Sequence, residues 1–348
     1  MRRTLVVRLD NIGDVLLAGP AVRAVVASGR QVIVLCGPNG RSAADLLPGV
    51  RGVIEFRAPW IDPDRHPVLA DEFEAAVERV REARVDEAIV FTSFHQSALP
   101  TALMLRLAGV PTIAGNSEDF PGSLLDVRHH PDDARHEVER NLDLAATLGH
   151  QLPTGDDGRL QMLRRTPSHR PPFSDPYVVV HPGASVPARA WGEAGYRGAV
   201  QALVRAGWRV AVTGGPSERD LTAAVATVDR HQRRVVDLGG VTDLAGLADI
   251  IDQAAAIVVG NTGAAHVAAA VNTPVVSVYA ATIPSARWAP WRTPTVVLGD
   301  QDIACGGCRA RQCPVAGHPC LAGVSASDVV EAVDALVHAK AAAREGAA

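Results

Sequence analysis

An aspartate at the start of a helical pattern, three glycine-rich turns and four crowded cysteines are the residues whose types and spacing could do chemistry in this chain. Asp14 follows Asn11-Ile12-Gly13 just beyond an apolar run. A helix N-terminus keeps a carboxylate there ionised, as a general base must be; the bland alternative is an N-terminal cap. The turns are His181-Pro182-Gly183-Ala184-Ser185, Thr213-Gly214-Gly215-Pro216-Ser217-Glu218 and Gly260-Asn261-Thr262-Gly263-Ala264-Ala265-His266. Small residues let a ligand approach the backbone, and free N–H groups at a helix start favour an anion. Each alone reads as a tight strand-to-helix turn, but three at successive strand ends point to a nucleotide diphosphate. Glu218 could accept hydrogen bonds from ribose hydroxyls or stabilise the first turn of its helix. His266, fourth in its helix, could donate to a phosphate or pack in the core. Cys305-x2-Cys308-x4-Cys313-x6-Cys320, with His318 nearby, fits a structural zinc site, one or two disulfides, or free thiols. Cys36, at a strand end, reads as core.

The elements that must position these residues alternate along the chain. Apolar runs at Leu5 to Leu9, Gln31 to Cys36, Gly52 to Phe56 and Glu87 to Phe91 read as buried parallel strands. Amphipathic stretches from Asp14 to Ala27, Asp71 to Arg84, Ser97 to Leu107 and Arg135 to Leu148 read as helices. The proline-bearing stretch 151–175 reads as a linker. Strands then resume at Tyr177 to His181, Trp208 to Thr213, Arg234 to Asp237, Ala256 to Gly260 and Pro274 to Tyr279, separated by helical patterns near 192–206, 217–228, 243–254 and 263–271. This predicts an α/β protein of two doubly wound Rossmann-like domains facing across a cleft, with ligands at the carboxyl ends of the strands. The divisions are 1–150 as the first domain, 151–175 as linker, 176–325 as the second domain, which bears the glycine-rich turns, and 326–348 as a closing helix able to pack back on the first domain. Phe94, His95 and Gln96 follow a strand end of the first domain, where they could meet an acceptor.

Composition narrows the classes. The 348 residues carry 34 basic against 38 acidic side chains, a formal charge of −4, with no basic block. That argues against a nucleic-acid partner. No apolar run approaches the ~18 residues of a membrane span, and the N-terminal apolar stretch is too short for a signal peptide. The expectation is a cytoplasmic monomer, and no strongly basic amphipathic helix marks a membrane-docking surface. Lys340 is the lone lysine, so a phosphate-binding cation elsewhere must be arginine. No Gly-x-Gly-x-x-Gly follows the first strand and no Gly-x4-Gly-Lys-Ser/Thr occurs, which disfavours dehydrogenases and P-loop enzymes.

Taken in order, VVRLDNIGDVLLAGPAVRAV, LMLRLAGVPTIAG, HEVERNLDLAATLG, HPGASVPARAWGEAGY, VTGGPSERD, LGGVTDLAGLADII and GNTGAAHVAAAVNTPVVSVYAATIPSARWAP resemble the ADP-heptose:lipopolysaccharide heptosyltransferases, glycosyltransferase family 9 of the GT-B fold, over nearly the whole length. The resemblance implies an inverting, metal-independent transfer of a sugar, heptose in the family, from a nucleoside diphosphate to an acceptor hydroxyl, with 1–150 as the acceptor-side domain and 176–325 as the nucleotide-sugar-binding domain. It gives Asp14 the role of base. Arg189 falls where the family usually has a lysine facing the donor phosphates, and Glu218 matches the acidic residue at the ribose. Thr262, Gly263 and His266 match the diphosphate turn, Ser185 could contact phosphate, and Gly214 and Gly215 belong to the same donor site. Asn261 departs from the aspartate of the best-known members. The implied donor is ADP-heptose or a related nucleotide sugar, with no cofactor required for catalysis. The implied acceptor is a glycan, glycolipid or small natural product, and the resemblance would place the enzyme peripherally at the inner membrane face. The alternatives are a nucleotide-sugar epimerase of the same architecture, for which further acid/base residues cannot be placed, and a non-catalytic nucleotide-sugar binding protein.

Overall fold

The computed structural model describes residues 2–345 except 63, 65, 94, 131, 133, 165–169 and 229–233. Its contacts divide the chain into two units, Met1–Leu163 and Arg164–Ala348. In the first, β1 (Arg3–Arg8), β2 (Gln31–Cys36), β3 (Val50–Glu55), β4 (Glu87–Val90), β5 (Thr112–Asn116) and β6 (Val127–His129) form a sheet in the order β3-β2-β1-β4-β5-β6. In the second, β7 (Tyr177–His181), β8 (Arg209–Gly214), β9 (Val235–Gly239), β10 (Ala256–Gly260), β11 (Val275–Val278) and β12 (Thr295–Leu298) repeat that order as β12-β11-β10-β7-β8-β9. Every pairing is parallel. Helices cover both faces of such sheets, so the central strands are apolar without alternation; Leu5, Val7, Val178, Val180, Ile257 and Val259 are completely buried.

Strand order reverses between β1 and β4 in one unit and between β7 and β10 in the other. At such a switch point the flanking loops diverge and open a crevice at the carboxyl ends of the strands. Asp14 follows β1, and the turns bearing Arg189 and Asn261 follow β7 and β10, so sheet topology alone puts them where α/β proteins bind ligands.

Several boundaries differ from the expected ones. The helix predicted from Asp14 to Ala27 is two helices, Ile12–Leu17 and Gly19–Ala27. Proline 20 supplies no N–H to the first turn of the second, which suits a helix start and not a helix interior. β5, β6 and β12 had no counterpart in the sequence reading. They have three to five residues, and β6 and β12 are half-buried edge strands without a continuous apolar run. Part of the presumed linker packs on the first unit: Leu160 and Met162 are buried, and Asp156 forms a two-pronged ion pair with Arg23 at 2.7 and 2.8 Å. Residues 165–169 of that stretch lie outside the described residues. The closing helix, Ala326–Glu345, packs within the second unit: Val329, Val333 and Leu336 join the core beside Val200, Leu203 and Val276. Among the described residues no helix is long and apolar enough to cross a membrane.

Candidate functional site

In the first unit the site is built around Arg8, the last residue of β1. Its side chain is 1% exposed yet reaches three carboxylates. Nη2 donates to Asp14 Oδ1 and to Ser93 Oγ, both at 2.9 Å. Nε pairs with Asp10 Oδ2 at 2.9 Å, and Nη1 faces Glu137 Oε2 at 3.6 Å. Arg140 Nε approaches the other oxygen of Glu137 at 3.4 Å. Burial opposes the Arg8 charge, but Asp10, Asp14 and Glu137 together outweigh it and raise its pKa. Asp10 responds in the opposite sense. Burial, with Asp14 and Glu137 adding repulsion, pushes its carboxyl up to about 6 against the pull of Arg8 and a hydrogen bond from Gln96. Of the three carboxylates Asp14 is the most accessible, at 19% side-chain exposure against 9% for Asp10 and 1% for Glu137.

Asp14 is the third residue of its helix, not its cap. Asn11 occupies the cap position and its side chain makes no capping bond. The capping alternative is therefore not realised, and the carboxylate turns to Arg8. Glu137 opens the helix Glu137–Ala146, whose start is fixed by His136 Nδ1 accepting from Val138 N–H and Glu139 accepting from His136 N–H. Gln96 is half-buried and joins this cluster, donating to Asp10 Oδ1 at 2.5 Å while its own Oε1 accepts from Ser93 N–H. His95 is exposed, and Phe94 lies outside the described residues. Beside the first helical turn Asp10, Asn11, Gly37, Asn39, Arg57 and Asp62 line a small pocket.

In the second unit Glu218 ties two turns together. Its Oε2 accepts from Gly215 N–H at 2.7 Å and lies 3.9 Å from His181 Nε2. It thus does stabilise a helix start, while its carboxylate covers Gly183, where a Cβ would stand 1.9 Å from Oε1. His181 is held toward its neutral form by burial, with Glu218 opposing, and its Nδ1 shares a hydrogen bond with Thr213 Oγ1 at 3.0 Å.

Arg189 ends a short 3-10 turn, Pro187–Arg189, whose backbone meets the β10 turn: a Cβ on Gly260 would sit 3.6 Å from the Arg189 carbonyl oxygen and 3.5 Å from Tyr196 Oη. Thr262 caps the helix Gly263–Ala270, and His266 is its fourth residue and buried. Burial raises the Tyr279 hydroxyl pKa, while Asn261 and Arg189, both close to it, pull the other way. Within this cluster Arg189 Nε, both polar atoms of the Asn261 side chain and Thr262 Oγ1 are buried without a geometrically formed hydrogen bond. Each such group costs about 1–3 kcal/mol if nothing satisfies it, so the cluster reads as a surface shaped for a polar ligand. Gly214 is buried beside Glu218, and Ser185 is exposed on the loop after β7.

Cys305, Cys308, Cys313 and Cys320 line one pocket with His318 and Ala188, and all are free thiols. The disulfide alternative is not realised. Among the described residues no group of three or more His, Cys, Asp or Glu is arranged to hold a metal ion. The loop acts instead as a brace for the Arg189 turn: Ala188 N–H donates to Arg311 O at 3.0 Å, and His318 Nε2 lies 3.0 Å from Ala188 O.

The sequence reading missed Arg8, Asp10, Glu137, Arg140 and Ser93. An arginine closing an otherwise apolar strand (VVRLD) is the signal that could have found Arg8, since a buried guanidinium requires carboxylates around it.

A family model for glycosyltransferase family 9 (heptosyltransferase) matches residues 75–318. Lipopolysaccharide heptosyltransferase 1 of Pseudomonas aeruginosa is 27% identical over 342 residues, covering 89% of this chain and 87% of that protein. Lipopolysaccharide heptosyltransferase 3 of Escherichia coli K12 is 32% identical over 165 residues, which span 45% of this chain and only 47% of that relative. Among solved structures, E. coli ADP-heptose lipopolysaccharide heptosyltransferase II superposes with a TM-score of 0.75 at 22% identity, covering 97% of this chain and 99% of that one. E. coli heptosyltransferase WaaC with ADP gives 0.70 at 19% identity, covering 96% and 99%. These likenesses show the fold to be that of GT-B heptosyltransferases.

Proposed function

The chain belongs to glycosyltransferase family 9, the heptosyltransferases, and from that premise we propose that it moves a heptose from ADP-heptose to a hydroxyl of a lipopolysaccharide-type acceptor with inversion, Asp14 acting as base. The buried, unsatisfied polar atoms of Arg189, Asn261 and Thr262 at the start of the helix Gly263–Ala270 carry this reading. A diphosphate would satisfy the donors among them, Arg189 Nε, Asn261 Nδ2 and the Thr262 hydroxyl. Its oxygens would take hydrogen bonds from the Arg189 fork, from Asn261 Nδ2 and from the N–H groups of the helix terminus, where the backbone dipoles add partial positive charge.

The chemistry follows from charge. As the acceptor oxygen attacks the anomeric carbon, the bond to the diphosphate breaks and charge grows on the leaving phosphate. Donors aimed there stabilise the transition state more than the ground state. The attacking hydroxyl loses its proton to Asp14, the carboxylate of the Arg8 cluster with the most exposure. Glu218, oriented by Gly215 N–H, would accept from the ribose hydroxyls.

The test is incubation of the purified chain with ADP-heptose and heptose-deficient lipopolysaccharide, following ADP release and mass gain of the acceptor. Asp14→Asn should abolish turnover while calorimetric ADP affinity stays within about twofold. Sugar conversion without acceptor would favour an epimerase, and ADP-heptose binding with no product in any acceptor would favour a binding protein. Full turnover by Asp14→Asn would remove Asp14 from the reaction.

A further inference from the structure

We propose that Arg8 is the positioning residue of this site: its guanidinium, braced from behind by Glu137 and Arg140, orients the Asp14 carboxylate through the bond from Nη2. The inference rests on the reading of Asp14 as base and deepens it.

The geometry separates the partners of Arg8 by kind. Both hydrogen bonds it forms come from Nη2, to Asp14 Oδ1 and Ser93 Oγ. A guanidinium terminal nitrogen has two protons, so Nη2 is fully committed, and the direction of its bond to Asp14 is set by the bond to Ser93. The contacts of Nε with Asp10 and of Nη1 with Glu137 are ion pairs without hydrogen-bond geometry. They anchor the fork from the loop after β1 and from the helix Glu137–Ala146, leaving Nη2 as its aligned edge. A lysine cannot reproduce this, because one ammonium cannot reach carboxylates on both sides of a plane.

The charged and titratable groups facing Arg8 are Asp10, Asp14, Glu137 and, through Glu137, Arg140; Ser93 and Gln96 complete the shell. With every carboxylate ionised, these groups together with Arg8 carry one more negative than positive charge. Removing Arg8 leaves three carboxylates facing one another, and their mutual repulsion raises the pH at which each of them, Asp14 included, takes up a proton. Removing the Glu137 charge does the reverse. An opposite charge at this distance is worth about 1–3 pH units in a carboxyl titration.

The experiment follows the Asp14 carboxyl signal by carbon NMR with pH in protein carrying labelled aspartate, the signal being assigned by its loss in Asp14→Asn. Wild type, Arg8→Met, Arg8→Lys and Glu137→Gln are compared, and the acid limb of the rate profile is measured alongside. Arg8→Met should move the Asp14 titration and the acid limb up by about 1–3 units and lower kcat with the donor KM unchanged. Arg8→Lys should restore the limb but not kcat, and Glu137→Gln should move both midpoints to lower pH. Because Arg8→Met leaves Asp10 and Glu137 without their buried cation, it could fail to fold; Glu137→Gln then decides by itself. Its midpoint moving down supports the assignment, and an unmoved or rising midpoint overturns it, as does a folded Arg8→Met with wild-type titration. Turnover by Asp14→Asn would be a different failure, that of the base assignment, visible whatever the NMR shows.

Discussion

Gly183→Ala tests how the second unit holds Glu218. The added Cβ would stand 1.9 Å from Glu218 Oε1, 2.3 Å from Cδ and 2.5 Å from Oε2, all far inside contact distance. The strand that leads into Gly183 is fixed by the parallel pairing of β7 with β8 and β10, and the flexible end of the glutamate is the softer partner, so it yields. It then gives up the 2.7 Å bond from Gly215 N–H and its approach to His181. A hydrogen bond to a charged group is worth about 1.5–3 kcal/mol when fully buried. At 27% side-chain exposure we discount that to about 1–2 kcal/mol, a fall in Tm of about 2–8 °C for a unit of this size. A carboxylate turned away from the ribose position should also weaken ADP binding about tenfold, since 1.4 kcal/mol is one decade. Calorimetric titration with ADP and thermal unfolding measure both, in a double-mutant cycle with Glu218→Ala. Once the carboxylate is gone, Gly183→Ala should cost nothing further in affinity. Wild-type affinity in the single variant, or full additivity in the double, would refute the coupling of these two residues.

Arg189→Ala should lower kcat by about 10²–10³, the usual cost of removing a positioned donor to developing charge, and raise the donor KM; steady-state kinetics with both parameters intact would exclude it from the donor site. Asp10→Asn probes the carboxyl pushed up to about 6. The folded state binds this proton more tightly than the unfolded chain, so its stabilising share is present below pH ~4 and drains away as pH rises toward 6. Relative to wild type, urea stability of Asp10→Asn should therefore increase between pH 4 and 7, by up to about 2–3 kcal/mol, and a difference that does not change with pH would contradict the buried assignment. Thiol labelling of native protein should modify exposed Cys308 first and buried Cys36 and Cys320 last. Burial pushes Cys36 up to about 12 and raises Cys320, and a thiolate is the reacting form. Fast labelling of Cys36 before unfolding would run against that packing.

Much of the architecture was legible in the chain because parallel strands buried on both faces must be apolar along their whole length. β2, β7 and β10 therefore read off residue by residue, and the glycine turns after β7, β8 and β10 marked their carboxyl ends. Half-exposed edge strands such as β6 and β12 carry no such run and could not be read. The first-turn places of Asp14 and Glu218 and the turn from Asn261 to His266 were legible because backbone conformation and helix termini are local, written in neighbouring residues.

Their partners were not legible. Arg8 and Glu137 lie 129 positions apart, and nothing in either segment records that β1 and the helix Glu137–Ala146 bring them to 3.6 Å. Gln96 likewise gave no sign that it donates to Asp10, nor Gly183 that it is kept bare by a glutamate on the next strand's loop. Local sequence sets which residues can carry charge or adopt a turn. Which charges meet is decided only when strand order places distant loops side by side and burial removes the water that would otherwise screen them.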